Sequence, residues 1–112
     1  MLQPEIVALK LARILIPRRE HDINLFFMEG ARDLLAGWIT ASFLDRGEIC
    51  LRDLRNAIRT KEGLREMLER HKQTRFLAEY YLTSEHIFRE ILAVLECELA
   101  RHEDIAGLTF RP

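Results

Sequence analysis

Apolar residues recur along this chain at the three-and-four spacing of helices, and nowhere do they alternate with polar ones for long enough to mark a strand. Pro4 to Ile16 predicts a first helix. Ile6, Leu9, Ala12 and Ile16 form its stripe, Val7, Leu11, Ile14 and Leu15 widen it, and Pro17 stops it. A polar connection, Arg18 to Asp22, leads to a second helix from about Asn24 to Asp45, with Asn24 or Asp22 as its cap. Phe26, Phe27, Ala31, Leu34, Leu35, Trp38, Ile39, Phe43 and Leu44 cover most of its circumference. Glu29, Arg32, Asp33 and Thr40 leave only a narrow polar strip, the pattern of a helix at the centre of its domain. Gly30 and Gly37 share one face of it. Each costs about 1 kcal/mol of helix propensity, which close approach of a neighbouring helix would offset.

Gly47 is the stop signal for that helix. After the connector Glu48 to Cys50, Leu51 to Thr60 predicts a third helix buried through Leu51, Leu54, Ala57 and Ile58. Glu62 to Tyr81 reads as a fourth helix or a broken pair, because the polar run Glu69 to Arg75 separates Leu64, Met67 and Leu68 from Phe76, Leu77, Tyr80 and Tyr81. The last four of these are expected in the core, the alternative being that Phe76, Tyr80 and Tyr81 offer stacking planes. Thr83 or Ser84 caps a final helix running to about Glu103, with Ile87, Phe88, Ile91, Leu92, Val94, Leu95 and Leu99 inward. Leu108 to Pro112 reads as the start of an element that continues beyond the chain. The expected fold is all-α, a single bundle of about five or six helices around the second.

Composition narrows the function. The chain has 112 residues, the length of one domain, and a net charge of −1, so no global field draws it to nucleic acid or an anionic membrane. No segment reaches the run of about 18 apolar residues that a membrane span needs, nothing resembles a signal peptide, and a cytoplasmic location is expected. Cys50 and Cys97 stand far apart and outside any CxxC pattern, as free thiols do. His21, His71, His86 and His102 lack metal-ligand spacing and read as solvated surface residues. There is no phosphate-cradling GxxxxGK[ST] loop, and carboxylates sit beside cations at helical spacing, as in Glu62–Arg65 and Glu66–Arg70. Neither enzyme chemistry nor a cofactor is expected; binding is.

The candidate binding surface is cationic. Of 17 basic residues, 14 are Arg, whose planar fork suits carboxylate and phosphate. Arg52, Arg55 and Arg59 recur on one face of the third helix, and Lys61 and Arg65 continue the patch. It could take phosphates or an acidic partner surface; the alternative is a solvated helix face beside Asp53 and Glu62.

Residues 24 to 35, Asn-Leu-Phe-Phe-Met-Glu-Gly-Ala-Arg-Asp-Leu-Leu, resemble a segment of the type IV secretion coupling proteins, the hexameric ATPases of bacterial conjugation and effector export. That family carries a pattern close to Asp-Pro-Phe-Trp-x-x-Ala-Ala-Arg-x-Leu-Leu at the start of its all-α domain. Phe26, Ala31, Arg32, Leu34 and Leu35 match it, while Asn24, Leu25, Phe27 and Gly30 depart from it. The resemblance implies an all-α domain inserted in an ATPase anchored in the bacterial inner membrane. Such a domain would sit at the cytosolic mouth of the ring and receive relaxase-bound relaxosome DNA or effector protein, with the ATPase residues elsewhere. It also implies that Arg32 is a structural ion-pair residue. A free-standing helical adaptor that docks a partner helix is the other reading.

Overall fold

The computed structural model describes residues 3–18, 25–58 and 60–112, which leaves the Asn24 and Asp22 caps, His21 and Arg59 outside the described residues. These hold six α-helices: α1 (Pro4–Leu15), α2 (Leu25–Arg46), α3 (Leu51–Ala57), α4 (Lys61–Glu69), α5 (Lys72–Tyr81) and α6 (Glu85–Ala100). Ile49–Cys50 (β1) and Thr109–Phe110 (β2) pair antiparallel, Ile49 opposite Phe110. The sequence pattern gives no strand here, because two residues are too few to show alternation. The last helix ends at Ala100, and Glu103–Ile105 form a 3-10 turn instead of its final turn.

α2 is the centre. α1, α4, α5 and α6 all pack on it, and its Ala31, Leu34, Leu35, Trp38 and Ile39 are buried. A fully enclosed side chain such as Leu35 or Ile39 contributes about 2 kcal/mol through lost contact with water. The two glycines of α2 let the neighbours in close. A Cβ on Gly30 would lie 2.7 Å from Ile91 Cδ1 and 3.0 Å from Tyr81 Cε1, and one on Gly37 would press on Leu77 Cδ1. Gly47 closes the helix at φ +78°, a conformation that side-chain-bearing residues rarely adopt.

The fourth helical segment is a broken pair. α4 starts at Thr60, whose Oγ1 accepts from Gly63 N–H at 3.1 Å. It ends at Arg70, and His71 is extended at the start of α5. Two local bonds hold the break. Thr74 Oγ1 donates to the Leu68 carbonyl at 2.7 Å, and His71 Nε2 lies 2.8 Å from Asp45 Oδ1 at the far end of α2. Arg70 bridges the same Asp45 and Glu66. His102 Nε2 similarly meets the Leu15 carbonyl at 2.8 Å. His71 and His102 are therefore half-buried ties between elements rather than solvated residues, and only His86 keeps the expected exposure among the described histidines. Ser84 caps α6 through Ile87 N–H.

Among the described residues Arg32 meets no carboxylate. Its Nε donates to the carbonyl of Ile16 at 2.8 Å, where the last turn of α1 leaves acceptors without helical partners and carries partial negative charge. Removing it should cost about 2 kcal/mol, the loss of a charge-assisted bond at a partly buried site. Chemical denaturation of Arg32→Ala checks this, and amide exchange should speed up first in α1. Unchanged stability and exchange would mean that the bond is idle.

Candidate functional site

The cationic patch does not survive intact. α3 places Arg52 and Arg55 on its exposed side as the spacing predicts, and with Asn56, Ile58 and Glu96 they line a cleft of about 440 Å³. Arg55 is ion-paired with Glu103 from the 3-10 turn. Lys61 and Arg65 turn instead towards the junction of α5 and α6. Lys61 Nζ lies 2.6 Å from Glu85. Its hydrogen bond and charge hold the Glu85 carboxyl below the ordinary carboxylate value. Arg65 donates to the Leu82 carbonyl beyond the end of α5, not to Glu62. Asp53 faces Arg46 at 4.0 Å. The described residues of the expected stripe, Arg52, Arg55, Lys61 and Arg65, thus divide into a short cleft and a structural clamp, each with its own carboxylates.

A second concave surface lies on another side. α1 and α5 flank α2 and leave between them a groove of about 310 Å³. Ala36, Gly37 and Thr40 make its floor, Leu9 one wall, Phe76 and Leu77 the other, with Glu5 and Asp33 contributing carboxylates. Leu9 is 39% exposed, Phe76 60% and Tyr80 63%. Tyr80 stands edge-on to Tyr81 with ring centroids 4.7 Å apart, and half-exposed Phe26 lies 6.2 Å from Tyr81. The expectation that Phe76 and Tyr80 are core residues is wrong. The buried stripe of α5 is Thr74, Leu77, Ala78 and Tyr81. At 100° per residue, Phe76 and Tyr80 point about a third of a turn or more away from it. The missed signal is the Tyr80–Tyr81 neighbourhood itself, since adjacent residues cannot share one helical face.

Tyr81 joins the groove to the core. Its hydroxyl donates to Asp33 Oδ2 at 2.6 Å, fixing a carboxylate at the groove. Burial above all, then the bond to Asp33 and its charge, push the phenol above its ordinary value of 10.0. The bond is intact wherever both folded and unfolded chains keep the phenol protonated, below about pH 10. At higher pH the unfolded chain ionises first, so stability falls as pH rises towards the folded value. Urea midpoints between about pH 8 and pH 11 should therefore fall more steeply for the native chain than for Tyr81→Phe; parallel slopes would remove Tyr81 as the cause.

Among the described residues no group of three or more His, Cys, Asp or Glu is placed to hold a metal ion, and no helix is long and apolar enough to cross a membrane. Cys97 is an exposed free thiol, and Cys50 Sγ donates to the Ala106 carbonyl at 3.0 Å. No family model, curated protein or solved structure matches the chain.

Proposed function

We propose that this helical bundle is a cargo-receiving domain of a coupling ATPase of the type IV secretion kind, which recognises protein by surface contact and turns nothing over. The observation that carries the reading is the groove between α1 and α5, with Leu9 and Phe76 exposed along it and Tyr80 exposed about one helical turn beyond Phe76. Exposed aromatics beside a concave apolar surface are the usual anchors of a protein interface. The lining supplies two carboxylates, Glu5 and Asp33, and no cation. Its occupant is accordingly a helix of the cargo protein with an apolar face and basic side chains beside it.

Protein is favoured over DNA because three of the five cations of the expected patch are already engaged. Arg55, Lys61 and Arg65 all have partners within the chain, and a nucleic-acid surface needs a continuous run of available cations. The resemblance over residues 24 to 35 supplies the coupling-protein context, with relaxase or effector as the cargo and the remainder of the ATPase as the neighbour.

Two measurements test this. Fluorescence anisotropy of labelled single- and double-stranded DNA should stay flat with this chain at low and at physiological salt, whereas relaxase or effector from the same system should be captured. Steeply salt-dependent DNA binding with no protein capture would replace the proposal with a DNA-receiving role. The open reading frame separates the coupling protein from the free-standing adaptor, since only the former has a nucleotide-binding loop upstream of Met1.

A further inference from the structure

Arg55, on the lining of the α3 cleft, already holds a carboxylate of the same chain. After α6 the chain folds back over α3. The Ala106 carbonyl accepts from Arg52 N–H at 3.0 Å and from Cys50 Sγ at 3.0 Å, and β2 pairs with β1. This backing carries Glu103 to the guanidinium of Arg55. Both side chains of the pair are substantially open to water, 41% for Arg55 and 68% for Glu103, so the contact is weak and exchangeable.

Beside it lies Arg52, whose guanidinium rests on Gly107, where a Cβ would lie 3.1 Å from its Nη2. Arg52 has no carboxylate partner among the described residues. Two forked donors and the Asn56 amide thus open onto one cleft, and one donor is occupied by a carboxylate from the same chain. A planar fork pairs with a carboxylate through parallel hydrogen bonds, so Glu103 displays the chemistry that the cleft accepts.

We propose that this cleft binds a single acidic side chain of a partner protein, and that Glu103 competes with it for Arg55. A nucleic-acid strand suits the cleft less well. Glu96 forms part of the lining and Glu103 is paired with Arg55, so a run of phosphates would meet both carboxylates, whereas a single acidic side chain has only Glu103 to displace. The site is separate from the α1–α5 groove, and neither proposal depends on the other.

The test is a titration of the chain with a fluorescein-labelled peptide of alternating Glu and Gly, at low ionic strength, beside a labelled single-stranded oligonucleotide. Glu103→Gln should tighten peptide binding about three- to fivefold, the effect of releasing one exposed ion pair. Adding Arg52→Gln to it should abolish the gain. In the unaltered chain, the Nε–H resonances of Arg52 and Arg55 should shift with peptide while those of Arg65 and Arg70 stay still, which keeps the proposal open to refutation if Glu103→Gln fails to fold. Unchanged peptide affinity in folded Glu103→Gln, no shift at Arg52 and Arg55, or a gain for the oligonucleotide but not the peptide would each overturn it.

Discussion

Gly30→Leu should lose about 3 kcal/mol of stability and melt at least about 10 °C lower than the native chain. The site has no room. A Cβ alone would press on Ile91 Cδ1 at 2.7 Å and Tyr81 Cε1 at 3.0 Å, and Ile91 is wholly enclosed. Three further carbons would force α6 and α5 away from α2 together. The gain in helix propensity on replacing glycine, about 1 kcal/mol, offsets only part of that. Gly37→Leu should be milder although a Cβ there comes closer still to Leu77 Cδ1, because Leu77 lines the groove and can move into it. Thermal melts of the two variants check both the size and the order. If Gly30→Leu melts within a few degrees of the native chain, the α2–α6 contact is not the tight one described.

Phe76→Ser combined with Tyr80→Ser should weaken capture of the cargo protein at least about a hundredfold and leave the fold standing. The two rings are 60% and 63% exposed, so truncating them removes little core. The main structural loss is the edge contact of Tyr80 on Tyr81, about 1 kcal/mol. Central aromatic anchors of an interface cost about 2 kcal/mol or more each when removed, which together exceeds two factors of ten. Binding isotherms with relaxase or effector give the affinity, and circular dichroism confirms the helices. Should the double variant bind as the native chain does, recognition moves off the groove. Arg52→Glu with Arg55→Glu then becomes the informative pair.

Much of this architecture could be read before any coordinates. The central place of α2 follows from apolar residues that encircle it. The close approach at Gly30 and Gly37 follows from two helix-weakening residues on one face of an otherwise strong helix. Arg52 and Arg55 do share a side. What could not be read depends on residues distant in the chain. Arg55 finds Glu103, 48 positions away, and Lys61 finds Glu85, so spacing along one helix could not show that the cations were spoken for. The break between α4 and α5 hides in a polar run, because it is fixed by His71 meeting Asp45 and by Thr74 reaching back to Leu68. Phe76 and Tyr80 read as core because five apolar residues in a row of six look like one stripe until the angle between neighbours is counted.

α5 is fastened to α2 at both of its ends, by His71 on Asp45 and by Tyr81 on Asp33, and Arg32 fastens the end of α1 to the same helix. The two walls of the groove therefore behave as bars pinned to one beam. An arriving helix does not have to wait for them to open, and little ordering entropy is lost when it docks. Association should then run at the rate of encounter, in a single kinetic phase set by charge and diffusion, with differences among cargoes expressed in how long each stays.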